Sequence, residues 1–98
     1  MLEELYRIIE ERKRNPVPGS YTAYLIEEGE DMILKKIGEE AMEVILAAKG
    51  QDNQRIIEEL SDLYYHTLVL LLSRDIPFSM VQKELTNRHL NKIQGSDS

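Results

Sequence analysis

Apolar residues recur along this chain at spacings of three and four, the signature of helix faces that must be buried. Leu2, Leu5, Ile8 and Ile9 set a first helix from Leu2 to about Arg14, and Asn15-Pro16-Val17-Pro18-Gly19 ends it. Ser20 is placed to cap a short helix over residues 21–28, which Gly29 stops. A long helix is expected from about Glu30 to Lys49, with two acids in its first turn and Gly50 just past its end. Asp52 or Asn53 caps the next, which runs to about Arg74. Pro77 suits the first turn of a last helix reaching about Lys92, and Gln94 to Ser98 read as a loose tail. The run Thr67-Leu68-Val69-Leu70-Leu71-Leu72 continues a helical pattern with no turn on either side, and strand signals are almost absent. The expectation is an all-α bundle of four to five helices, a single domain over residues 1–93 with a flexible tail at 94–98.

A projection of the two long helices at about 100° per residue shows where chemistry can sit. In the first, Ile33, Ile37, Ala41, Val44 and Ala48 form a stripe with Leu34 and Ile45 beside it. Lys36, Glu40 and Glu43 line one border of that stripe, and Glu39 turns toward solvent. In the second, Ile56, Leu60, Leu63, Leu70 and Leu71 form the stripe, Glu59, Asp62 and His66 the matching border, and Glu58 turns outward. Each helix thus offers two acids at i,i+3 beside apolar residues. Antiparallel packing through a turn at Gly50-Gln51-Asp52 can bring Glu40, Glu43, Glu59 and Asp62 together.

Composition narrows the field. The 98 residues carry 12 Lys+Arg against 18 Asp+Glu, a net charge of −6, which disfavours nucleic-acid binding by a general basic surface. The absence of cysteine excludes disulfides, thiolate zinc sites and thiol catalysis. The first thirteen residues are too charged for a signal peptide, and no apolar run approaches the ~20 residues that cross a bilayer. A cytoplasmic protein is expected.

Converging carboxylates repel one another and lose hydration. A divalent cation relieves both costs, and Mg²⁺ or Mn²⁺ prefers oxygen ligands. Such ions can grip a polyphosphate, lower the pKa of a bound water and neutralise a departing pyrophosphate. A di-iron bundle fits less well, since its Glu-x-x-His is replaced here by Glu40-x-x-Glu43 and Glu59-x-x-Asp62. Acids on helices are otherwise simply solvated, and periodicity alone leaves both readings open.

Gly38-Glu39-Glu40-Ala41-Met42-Glu43 followed by Glu58-Glu59-Leu60-Ser61-Asp62 resembles the signature of the all-α, MazG-like nucleoside-triphosphate pyrophosphohydrolases. Ser20-Tyr21-Thr22-Ala23-Tyr24-Leu25, Lys35-Lys36-Ile37-Gly38, Asp62-Leu63-Tyr64-Tyr65-His66 and Glu84-Leu85-Thr86-Asn87-Arg88-His89 extend the resemblance to the phosphoribosyl-ATP pyrophosphohydrolase family of histidine biosynthesis. The match spans about Ser20 to His89 in order. The resemblance implies Mg²⁺-dependent hydrolysis of phosphoribosyl-ATP to phosphoribosyl-AMP and pyrophosphate by a homodimer. It also implies metal ligands at Glu40, Glu43, Glu59 and Asp62, the same four that the projection singles out. A house-cleaning hydrolase of other nucleoside triphosphates and a non-catalytic helical interaction module are the rival readings.

Other positions have two readings each. Lys36 can bind phosphate or pair with Glu40. Ser20, Tyr21 and Thr22 can hold an anion at a helix start or serve only as a cap. His66 can orient Asp62 from outside the ligand set or fill the core border. Arg88 and His89 suit substrate phosphate or the helix dipole. Gly38 costs a helix roughly 1 kcal/mol against Ala, which reads either as close approach of a backbone or substrate or as a tolerated weak spot. The Leu68–Leu72 run reads as core plus dimer interface.

Overall fold

The computed structural model describes residues 1–90; the expected end of the last helix near Lys92 and the tail at 94–98 lie outside them. Five α-helices, α1 (Leu2–Arg14), α2 (Tyr21–Glu28), α3 (Glu30–Lys49), α4 (Asn53–Ser73) and α5 (Phe78–Leu85), are followed by a π-helical turn at Thr86–Leu90. The described residues are all-α, as the apolar spacing requires. Caps explain the agreement at the helix starts. Ser20 Oγ accepts from the Ala23 amide at 3.1 Å, and Asp52 Oδ1 accepts from the Arg55 amide at 3.1 Å. Each bond satisfies an amide left free by a helix N-terminus.

The α3–α4 hairpin is the spine. Its tip closes by bonds from the Gln51 amide to Ala48 O and from the Asp52 amide to Ala47 O, with Gln51 at φ 58° where glycine is the usual occupant. At the open end, the Arg74 guanidinium clamps both carboxylate oxygens of Glu30 at 2.6 and 2.8 Å, which holds the Glu30 carboxyl below its ordinary range. α1 and α2 pack mainly toward that end, and the start of α1 reaches along α4 to a hollow shared with Ile57 and Leu60. Tyr6, Ile9, Leu25, Ile33, Leu68, Val69 and Leu72 make the core. Tyr6 stacks on Phe78 and donates to Ile76 O at 3.0 Å, tying α1 to the segment before α5.

A single residue, Gly29, joins α2 to α3 at φ 99°, ψ 179°, a backbone state that side chains with a Cβ rarely adopt. It ends one helix and starts the next, so the angle between them is fixed locally.

Three expectations need correction. Pro77 precedes α5 as its cap and does not sit in its first turn, and the α-helix gives way to the π turn after Leu85. On α4 the fully buried positions are His66, Leu68, Val69 and Leu72, whereas Ile56, Leu60, Leu63, Leu70 and Leu71 are only partly buried. A run that is apolar all round cannot tell a projection which side faces in. On α3 the tip-side residue in the core is Ala47, and Ala48 is exposed.

Ile33, fully buried between α2 and α4, gives the cleanest test of this packing. Ile33→Ala is expected to cost about 2–5 kcal/mol and Ile33→Val about 0.5–1.5 kcal/mol, read from urea unfolding midpoints. Equal, negligible losses for both would contradict the core described.

Candidate active site

The acids lie along the seam between α3 and α4, in the half of the hairpin toward its tip. Glu40 is the most enclosed: its side chain is 13% exposed and Oε1 is fully buried. That oxygen stands 2.6 Å from Nδ1 of His66. Nδ1 directs its proton elsewhere, to the backbone carbonyl of Asp62 at 2.9 Å. Oε1 is therefore left without a hydrogen bond of proper geometry. Because a carbonyl only accepts, Nδ1 must be the protonated nitrogen, and in the neutral ring Nε2 accepts from the Tyr21 hydroxyl at 2.7 Å. Burial pushes the Glu40 carboxyl above its ordinary value; the contact with His66 opposes this, and the charges of Asp62 and Glu59 add to it. Burial, then the Glu40 charge, likewise raises the Tyr21 phenol.

The four acids are not equivalent. Glu40, Glu59 and Asp62 interact through their charges. Glu43 is held by Arg55, at 2.6 Å, and the same guanidinium nitrogen lies 3.7 Å from Glu59. Arg55 thus links one acid of each helix. It carries a helical signal, four residues before Glu59, that the search for acids passed over. Among the described residues no group of three acid or histidine side chains, as placed, stands close enough to enclose a cation. The donor chemistry nonetheless suits one: a buried carboxylate oxygen lacks a partner beside two further acids.

The remaining positions divide. His66 is enclosed, but its carboxylate neighbour is Glu40 and not Asp62, whose backbone it contacts. Tyr21 turns its hydroxyl inward to His66. Thr22 is buried and hydrogen-bonded to the Tyr65 hydroxyl, and Ser20 caps α2. Lys36 lies near Glu39, at 3.8 Å, instead of pairing with Glu40. Arg88 and His89 sit on the π turn, which packs mainly on α5, and Arg88 lies 3.6 Å from Glu84. No atom outside its own local backbone comes within 4 Å of a Cβ built on Gly38, so the fold of this chain does not demand glycine there. The Tyr21–His66 and Thr22–Tyr65 bonds join residues more than forty apart, and no local spacing announces them.

The phosphoribosyl-ATP pyrophosphohydrolase family model matches residues 2–89. The chain belongs to that family. Curated relatives named phosphoribosyl-ATP pyrophosphatase agree. That of Clostridium acetobutylicum is 50% identical over 97 residues, covering 96% of this chain and 88% of the relative. That of Bacillus cereus is 52% identical over 85 residues, 87% of this chain and 79% of the relative. That of Clostridium botulinum is 49% identical over 88 residues, 90% and 80% respectively. For a member of the phosphoribosyl-ATP pyrophosphohydrolase family, the acid seam is the natural candidate for the active site.

The raised Glu40 pKa has a sign. The folded chain holds that proton more tightly than the unfolded chain, so the penalty is absent below the ordinary value of 4.5 and complete above the raised one. Glu40→Gln is therefore expected to raise the melting temperature of the metal-free chain by a few degrees near pH 8. The gain should fade as pH falls toward 4. A pH-independent difference in thermal melts would contradict the burial penalty.

Proposed function

We propose that this chain hydrolyses phosphoribosyl-ATP to phosphoribosyl-AMP and pyrophosphate, with Mg²⁺ held by Glu40, Glu43, Glu59 and Asp62. The observation that carries the site assignment is the buried, unpartnered Oε1 of Glu40 beside Glu59 and Asp62, in a chain whose family is named for this reaction. A divalent cation supplies, when bound, charge neutralisation for the triphosphate and for the leaving pyrophosphate.

The chain's own residues do the rest. Glu40 and Asp62 interact through their charges, and His66 stands between them, 2.6 Å from the Glu40 carboxylate and bonded to the Asp62 backbone carbonyl. Arg55 holds Glu43 and lies 3.7 Å from Glu59, so it reduces the repulsion between one acid of each helix. Lys36, partly buried on the same border of α3 as Glu40, supplies positive charge for phosphate oxygens. The reaction adds water across the α–β anhydride: an oxygen–phosphorus bond forms to the incoming water, the bond to the bridging oxygen breaks, and pyrophosphate departs with that electron pair. A cytoplasmic location goes with this reading.

We further read the assembly as a homodimer. The fold is elongated, 49 × 34 × 22 Å with a radius of gyration of 15.6 Å, against about 13 Å for a compact chain of 100 residues. Toward the tip of the hairpin, Met42, Ile45 and Leu46 of α3 and Ile57 of α4 stand more than half exposed. The acid seam lies in that half. A second copy covers these residues and closes the site against water.

Two measurements test these readings. Pyrophosphate release from phosphoribosyl-ATP should require Mg²⁺, stop with EDTA, and exceed release from ATP, dCTP or dUTP. Glu40→Gln and Asp62→Asn should each lower kcat at least 100-fold while remaining folded. Turnover near that of the parent chain in either would remove the acids from the site, and equal turnover of all the nucleotides would favour a house-cleaning hydrolase. For the assembly, Ile57→Glu is expected to shift the sedimenting species from two chains to one. A parent chain that sediments as a monomer at micromolar concentration would contradict the dimer.

A further inference from the structure

The α1–α2 connection builds a second feature, on the other side of Tyr21 from His66. Pro16, Val17, Pro18, Gly19 and Ser20 with the outer face of α2 enclose a cleft of about 670 Å³, within the size range of small-molecule sites. Its rim is preformed. Two prolines restrict the loop, Gly19 takes φ 83°, and the Ser20 amide donates to Val17 O at 3.0 Å. Tyr21 and Tyr24 stack at 6.0 Å with 24° between their planes, and Tyr65 continues the stack behind Tyr21. Both cleft tyrosines are nearly half exposed. Glu27 and Glu28 also line the cleft without an ion-pair contact among the described residues; Glu27 borders the adjoining hollow with Arg12 and Lys13, so Glu28 is the less compensated of the two. Aromatic faces beside carboxylates attract a flat, positively charged ring.

The proposed substrate contains such a ring. Its added ribose is bonded to N1 of adenine, which turns the base into an amidine that holds a proton, and hence a positive charge, at neutral pH. The adenine of ATP is neutral under the same conditions. Tyr21 is common to both places: its ring walls the cleft, while its hydroxyl reaches His66 and, through it, Glu40. Tyr21 is thus the side chain that the cleft and the seam share.

We propose that the cleft formed by residues 16–20 and α2 holds the N1-substituted adenine, stacked on Tyr24, with Glu27 and Glu28 as counter-charge. This inference rests on the substrate reading above, and it assigns a different set of residues from the acid seam. The cleft sets which nucleotide is taken and the acids cleave it. Tyr24 is in consequence a specificity-determining residue that leaves the bond-breaking step alone.

The test is binding and turnover by Tyr24→Ala, Tyr24→Phe and the double variant Glu27→Gln/Glu28→Gln. Tyr24→Ala should raise KM for phosphoribosyl-ATP about tenfold with kcat within a factor of three, and Tyr24→Phe should restore KM. By calorimetry without turnover, 1-methyladenosine 5′-triphosphate, whose base carries the same charge, should bind the parent chain about tenfold more tightly than ATP. The double Gln variant should erase that preference. Unchanged KM in Tyr24→Ala, or equal affinity of the parent chain for the two triphosphates, overturns the cleft assignment while the hydrolysis still stands. A parent chain that prefers the methylated nucleotide yet does not cleave phosphoribosyl-ATP instead overturns the substrate reading.

Discussion

Everything in this molecule is arranged around a carboxylate that the fold buries without satisfying. Glu40 stands in the α3–α4 seam with one oxygen out of water and unpartnered, beside His66 and within the field of Glu59 and Asp62. An unpaired buried oxygen costs about 1–3 kcal/mol, more when charged. A small domain with modest stability keeps such a group only where something else recovers the loss. The rest of the site reduces that cost in parts. His66 is held by the Asp62 carbonyl and the Tyr21 hydroxyl, and Arg55 takes up the charge of Glu43.

Much of the fold was legible because its punctuation is local. Ser20 and Asp52 bond to amides three residues on, so residue type and position state where α2 and α4 begin. Gly29 does the same for the joint between α2 and α3. Legibility failed where the signal was symmetric or distant. Leu68 to Leu72 are apolar on every side, so periodicity could not choose Leu68, Val69 and Leu72 over Leu70 and Leu71 for the core. Past Leu85 an α-helix and a π turn share nearly the same residue preferences, and nothing in Thr86 to Leu90 separates them.

The acid quartet shows the same division. The i,i+3 pairs beside apolar stripes are a one-dimensional pattern, and all four acids do border the seam. Their inequality is three-dimensional. That Glu43 belongs to Arg55, that His66 serves Glu40, and that Tyr21 points inward depend on side chains brought together from different helices. Thr22, legible as part of a helix start, is occupied by Tyr65. Sequence spacing sets two acids on each of two neighbouring helices; packing ranks them, and among the described residues no three stand close enough to enclose a cation.

The glycine joint between α2 and α3 bears on how this scaffold can vary. One residue more or fewer there changes the direction in which the chain passes from α2 to α3 and carries the Tyr21 hydroxyl off His66. Added length between α1 and α2 has no such leverage, because α1 is fastened separately by the Tyr6 bond to Ile76. Insertions between residues 15 and 20 remodel the wall beside the tyrosines and leave the seam in register. The α1–α2 wall can thus vary while the acid seam keeps its place, and the boundary between the two is a single residue without a side chain.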